Sequence, residues 1–251
     1  MSKVSIFIKG MAMGAADVVP GVSGGTIAFI TGIFDTLLGS ISRITPSLIG
    51  MIRKDGLKAA FDYINGTFLI VLLAGILTSI FTLARVITWM LNTHPIPLWS
   101  FFFGLIVISV NHMFKQIEFW KISRFIAVIA GIGFAYSITV LQPLNLEPTS
   151  INILLAGSIA ICAMILPGIS GSFILLMLGM YAPILAAAKS IDIVTLGTFA
   201  AGCVIGILTF SHVLTWVLKH YRDIALTFLT GLMIGTLGKV WPWKETLTWR
   251  T

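Results

Sequence analysis

Two short segments, Pro20-Gly21-Val22-Ser23-Gly24 and Pro167-Gly168-Ile169-Ser170-Gly171, each interrupt a long apolar stretch near its middle. Proline and glycine there break a helix and free backbone N–H and C=O groups that hydrocarbon cannot satisfy. Each break must therefore be buried in protein or line a wet cavity. The residues that follow start a new half-helix, whose unpaired N–H groups and positive dipole end favour an anion. Gly21, Gly24, Gly25, Gly168 and Gly171 belong to this candidate site, and the hydroxyls of Ser23, Thr26, Ser170 and Ser172 add donors. A kink that serves only close helix packing at glycine is the competing reading. No Gly-Lys-Ser/Thr follows either break, so neither is a phosphate-binding P-loop.

Ionisable groups inside apolar runs are expensive and mark sites. Arg85 is one; it reads as a contact to a headgroup or carboxylate, or as a snorkelling side chain near the end of its span. His212 occupies the equivalent place in the second half of the chain and reads as its cationic counterpart or as a core histidine. Asp17, three residues before Pro20, needs Arg85, a proton or a cation, or else caps the half-helix that begins nearby. Its counterpart is Met164, and that asymmetry makes Asp17 the candidate for coupling to protons or a monovalent cation. Asp35 is read as interfacial, and His112 and Lys239 as interface anchors.

Catalytic sets are missing. No Cys/His or acid/His group has metal-ligand spacing, and Cys162 and Cys203 read as small core residues. Gly21-Val22-Ser23-Gly24-Gly25 matches the Gly-x-Ser-x-Gly elbow, but that motif needs a strand before it and a soluble α/β sheet around it. The chain is read as a non-enzyme, with no cofactor and no metal.

The elements that position these residues follow from composition. The chain has 251 residues, 57% hydrophobic and 10% charged, with a mean hydropathy of +1.03. Soluble domains carry about 25% charged residues. A soluble enzyme, a disordered regulator and a secreted disulfide scaffold are excluded; one membrane-embedded unit remains. The balance of 16 Lys and Arg against 9 acids gives +7. Those cations cluster between apolar runs, as cytoplasmic loops do, with no aromatic interleaving, so nucleic acid is not expected as a partner. Five stretches, 66–91, 97–114, 121–141, 193–218 and 223–241, are long enough to cross a bilayer, which takes roughly 20 residues. The stretches 4–41 and 150–189 are nearly twice that length and broken in the middle, so each is read as a hairpin of two short helices entering and leaving on one side. The first runs into Gly14, Asp17 and Pro20 with no cleavable small-residue site and is not read as a signal peptide. Tryptophans 89, 99, 120, 216, 241, 243 and 249 mark the membrane surfaces.

The break motifs recur at an offset of 147, where Gly32 also meets Gly179. A second block recurs at 127: Ala74-Gly75 meets Ala201-Gly202, and Val86-Ile87-Thr88-Trp89-Met90-Leu91 meets Val213-Leu214-Thr215-Trp216-Val217-Leu218. The difference places an insertion in the loop around 42–65. One hairpin plus two spans is an even number of crossings, so the linking span turns the second copy upside down. The expected fold is all-α and polytopic. It has two inverted-topology repeats, 1–118 and 146–251, each a broken re-entrant hairpin plus two transmembrane helices, joined by a span within 119–145. With the N-terminus inside, Lys3, Lys9, Arg43, Arg53, Lys54, Lys58, Lys115, Lys121, Arg124, Lys219 and Arg222 fall inside. Lys189, Lys239, Lys244 and Arg250 fall outside. Taking each broken stretch as one crossing gives the same split with the N-terminus outside, so only stretch length separates the two topologies.

The segment Gly14-Ala15-Ala16-Asp17-Val18-Val19-Pro20-Gly21-Val22-Ser23-Gly24-Gly25-Thr26, paired with Leu166-Pro167-Gly168-Ile169-Ser170-Gly171-Ser172, resembles the PopT-type polyprenyl-phosphate transporter family. The resemblance covers essentially the whole chain. It implies a flippase that returns undecaprenyl phosphate, the lipid carrier of bacterial envelope polymers such as peptidoglycan, to the cytoplasmic leaflet of the bacterial inner membrane. The headgroup is then expected between the paired half-helix starts and Arg85, with the prenyl tail in lipid and the repeats rocking about the site. Membrane lipids are the other expected partners, and a homo-oligomer is compatible. The alternative is a transporter or channel for a small soluble anion using the same half-helix site.

Overall fold

The computed structural model describes residues 1–19, 21–117, 121–144 and 146–243. Pro20, Trp120, Lys244, Trp249 and Arg250 lie outside the described residues. The described residues form helices and no strand: α1 (Lys3–Val18), α2 (Gly24–Ile30), α3 (Phe34–Ser42), α4 (Ser47–Tyr63), α5 (Gly66–Thr93) and α6 (Pro95–Lys115) lead to α7 (Ile122–Val140). Then follow α8 (Ser150–Ile165), α9 (Gly171–Met177), α10 (Tyr181–Ser190), α11 (Ile193–His220) and α12 (Arg222–Thr236), which ends in a 3₁₀ turn, Leu237–Val240. Five segments are long and apolar enough to span a membrane: α5, α6, α7, α11 and Arg222–Val240. Exposed apolar side chains such as Ile70, Leu73, Leu77 and Phe81 on α5 and Ile126, Ile129 and Phe134 on α7 coat them, as a multi-pass membrane protein requires.

Helix limits repeat along the chain. Both ends of α8 and α9 lie 147 residues beyond those of α1 and α2, and both ends of α11 lie 127 beyond those of α5. Even the caps correspond: Ser2 accepts from the Ser5 N–H (3.2 Å) and Thr149 from the Asn152 N–H (3.3 Å). Helix α1 packs on α5 where Gly10 faces Gly75, and α8 on α11 where Gly157 lies on Phe199 O and Gly202 on Leu154 O. A methyl at any of the four would enter the partner's backbone, so small residues set the helix spacing. Helix α7 packs on α12 in the same way, through Gly131 and Gly231. Helix α12 is the central post, its Leu226, Leu229, Leu232 and Met233 no more than 2% exposed. Its first turn is tied down by ion pairs from Arg222 to Asp35 of α3 (2.9 Å) and from Asp223 to Arg124 of α7.

The two broken stretches differ from the two-helix expectation. Each holds three helices. Helix α2 doubles back along α1, since Asp17 meets Gly24 at one end and the Lys9 ammonium reaches the Thr31 carbonyl (2.6 Å) at the other. The chain then turns by 114° into α3, and the second stretch turns by 109° between α9 and α10. These extra bends are Schellman-type stops. Gly32 (φ 70°) and Gly179 (φ 73°) take the left-handed conformation, and the Ile33 and Met180 N–H groups reach back to Ala28 O and Leu175 O, both at 2.9 Å. The insertion around 42–65 is also not a plain loop. It holds α4, kinked at Gly56, whose mix of charge, glycine and short apolar runs gives neither a span nor a clean cap in sequence.

Asp192 caps α11, accepting from the Val194 and Thr195 N–H groups (3.1 and 3.2 Å) and from the Thr195 hydroxyl (2.7 Å). Those bonds, the Thr195 hydroxyl first, hold its carboxyl below the usual range. The cap therefore stabilises the helix start at pH above the ordinary aspartate value and is lost as pH falls through the lowered one. Asp192→Ala should speed amide exchange at Val194 and Thr195 at neutral pH and abolish its acid dependence there.

Candidate functional site

The chain brings both breaks to one place. Ser23 begins α2 with an extended backbone; its hydroxyl accepts from the Gly25 N–H (3.1 Å) and shares its proton between Met164 O (3.0 Å) and Leu166 O (3.2 Å), across the repeat boundary. The Thr26 hydroxyl accepts from the Gly168 N–H (3.0 Å), a second stitch across the same boundary with the donor on the other side. Both side chains are fully buried. Gly25 lies against the backbone carbonyl of Ile165, where a side chain would collide. Gly21 and Gly168 hold matching positive φ angles, 87° and 89°. Gly171 rests on Ala160 O of α8.

Asp17 takes the capping role. Its Oδ1 accepts from the Gly24 N–H at 2.7 Å, and Gly24 leaves no room for a side chain, since a Cβ there would lie 2.5 Å from Oδ2. A carboxylate thus sits at the α2 start, where the sequence reading placed a bound anion. Asp17→Ala should lower stability by about 1–2 kcal/mol. Asp17→Asn, whose amide oxygen still accepts, should cost less than about 1 kcal/mol. Thermal melting of the two variants ranks them, and equal melting would remove the cap.

The two breaks are not equivalent. Across repeats, Ser23 corresponds to Ser170 and Asp17 to Met164. Ser170 makes no cap to α9; its hydroxyl instead pairs with that of Ser172 (2.8 Å). Ser170 lines a narrow crevice with Gly21, Gly168, Phe173 of α9, Thr139 of α7, Thr236 of α12 and Lys239. The Lys239 ammonium lies on the face of the Phe173 ring, a cation–π contact. The crevice holds about 10 Å³, room for one water and not for a phosphate. The first break uses its hydroxyls to join the halves; the second pairs its hydroxyls with each other and puts Ser170 in the lining of a crevice that Lys239 also lines.

Asp17, Gly21, Ser23, Gly24, Gly25, Thr26, Gly168, Ser170, Gly171 and Ser172 are therefore brought together. Arg85 and His212 are not. Arg85 is exposed on α5 and does not line the crevice. His212 is exposed on α11, where it borders a separate groove. The reason is helical phase: ten residues beyond the packing glycines Gly75 and Gly202, at roughly 100° per residue, these side chains leave the packed face. Lys239, read from sequence as an interface anchor, is the cation that lines the crevice at the breaks among the described residues. Only the 3₁₀ turn ending α12 puts it there, and its sequence signal, a lysine just past the small residues Gly235 and Gly238, is weak.

Over residues 13–251 the sequence matches the family described as VCA0040-like, undecaprenyl phosphate translocase-like. The chain belongs to that family. A polyprenyl-phosphate transporter of Vibrio cholerae serotype O1 is 66% identical over 250 residues, covering 100% of this chain and 81% of the relative. A polyprenyl-phosphate transporter of Staphylococcus aureus is 32% identical, covering 94% of this chain and 85% of the relative. No solved structure matches. Both relatives are named as transporters, not enzymes.

Proposed function

We propose that this protein carries a polyprenyl phosphate, undecaprenyl phosphate or a close analogue, between the leaflets of the bacterial cytoplasmic membrane. The observation that carries the reading is the meeting of the two breaks beside a crevice that holds Lys239, Ser170 and Thr236. The phosphate is taken up there by the ammonium and hydroxyls, while the prenyl chain stays in lipid. Lys239 replaces Arg85 as the headgroup cation in this reading.

A crevice with room for one water describes a closed state. Transport requires the halves to part around the breaks, each opening facing one leaflet. The matched helix limits support a two-fold relation between the halves, and inversion of the second copy supplies the two alternate openings. On this reading each broken stretch enters and leaves on one side of the bilayer. The stitches made by Ser23 and Thr26 are few and local, suited to a hinge.

Reconstitution into liposomes with an accessible polyprenyl phosphate tests the proposal, comparing wild type with Lys239→Gln and Arg85→Ala. Loss of transport in the first and retention in the second support it; the reverse restores Arg85 as the ligand and overturns the crevice. Asp17→Asn in the same assay tests coupling: an unchanged dependence on pH and monovalent cations removes Asp17 from that role.

A further inference from the structure

We infer that the groove between the end of α3 and the last turns of α11 is a second site, which binds the phosphate of a lipid lying at the membrane surface. His212, Thr215, Trp216 and Lys219 stand at i, i+3, i+4 and i+7 of α11 and so form one stripe. Ser42, the last residue of α3, faces them across a groove of about 540 Å³ that is open along one side. It is far roomier than the crevice at the breaks.

The polar groups of the stripe point to an anion. The Thr215 hydroxyl is buried and makes no hydrogen bond, an orphan that a ligand oxygen would satisfy. Lys219 is exposed and forms no ion pair among the described residues. His212 directs Nδ1 at the Leu208 carbonyl (2.5 Å); a carbonyl only accepts, so Nδ1 donates there and Nε2 is left to accept from the P–O–H of a singly protonated phosphate. An ammonium and a hydroxyl that donate, beside an imidazole nitrogen that accepts a P–O–H, suit a singly protonated phosphate.

The surroundings say that this phosphate belongs to a lipid. The groove is flanked by exposed Val213 and Trp216, and Trp216 meets His220 in a tilted contact (4.9 Å between centroids) and Tyr221 edge-on (5.9 Å) at the helix end. Aromatic clusters of this kind sit at headgroup depth, so an acyl or prenyl tail can run along the apolar side while its phosphate enters the groove. On α5 the corresponding residues Arg85, Thr88, Trp89 and Asn92 are all exposed. The groove on α11 comes from α3 packing across that helix.

A lipid phosphate here has two sources, the substrate proposed above or a membrane phospholipid; only the first rests on the transport reading. The test is lipid binding to the full chain in detergent by native mass spectrometry. It is done in the Lys239→Gln background so that binding at the breaks does not contribute. The probes are a short polyprenyl phosphate, its parent alcohol, phosphatidylglycerol and phosphatidylcholine. Adding Lys219→Gln or Thr215→Val should weaken binding of the phosphate lipid about tenfold, as expected for losing a charged or buried hydrogen-bonding partner. The alcohol should not bind. Preference for polyprenyl phosphate makes the groove a docking station for the substrate, and preference for phosphatidylglycerol makes it a phospholipid site; both keep the inference. Unchanged affinity in both groove variants, with melting curves showing them folded, overturns it, as does equal binding of the alcohol. Liposome transport by the otherwise wild-type chain is a separate readout, so failure of the transport reading is seen independently.

Discussion

Gly25→Ala should destabilise the protein by about 3 kcal/mol and eliminate transport. The alanine Cβ would run into Ile165 O and lie 3.1 Å from Met164 O, both backbone atoms of the opposite break. Neither can rotate away. Relief would need α2 to withdraw from α8, which would stretch the Ser23 bonds to Met164 O and Leu166 O and the Thr26 bond to Gly168 N. At roughly 2–4 °C per kcal/mol for a chain of this size, the apparent Tm in detergent should drop by about 6–12 °C. Gly104→Ala on α6 is the control: nothing lies within 4 Å of its added methyl, so helix propensity alone should leave it neutral or up to about 1 kcal/mol more stable. Equal melting of the two variants would show that the breaks are not packed together as described.

Lys239→Gln should lower transport at least tenfold and, through loss of the Phe173 contact, lower Tm by no more than a few degrees. A hydrogen bond to a charged group contributes about 1.5–3 kcal/mol, which corresponds to roughly a 10–150-fold loss when the headgroup can no longer make it. Lys239→Arg keeps the charge but must fit a wider, planar head into a crevice of about 10 Å³, so partial activity is expected. Arg85→Ala should stay within about twofold of wild type, because an exposed arginine on the lipid-facing side of α5 contributes little when truncated. The measurement is the initial rate of polyprenyl phosphate movement in liposomes at matched protein density. Full activity of a folded Lys239→Gln protein would remove the crevice from headgroup binding.

Much of this molecule is written in its sequence, because membranes impose coarse rules. The five spans agree with the helices to within a few residues, since a hydrocarbon slab demands an apolar length and little else. The breaks were visible as paired Pro-Gly-x-Ser-Gly segments, and the matching helix limits follow offsets readable from aligned glycines and tryptophans. Gly32 and Gly179 were visible as matched positions but not as stops. A left-handed glycine is a statement about φ, which letters alone do not carry.

Which residues meet was a different matter. Two serines in identical motifs perform different tasks: Ser23 stitches the halves together, and Ser170 faces the crevice. Nothing within the motif distinguishes them; the difference comes from what packs opposite. Arg85 looked conspicuous because charge is rare in apolar runs, yet rarity along a chain says nothing of direction around a helix. Lys239 was passed over near a span end and arrives at the breaks because a 3₁₀ turn redirects the last residues of α12. The sequence alone determined a multi-pass helical protein with two symmetric breaks, because hydropathy and helix breaking are local properties. The tertiary structure alone decided which break joins the halves, which lines the crevice, and which cation lies beside it, because those depend on helix phase and on the side chains that packing brings face to face.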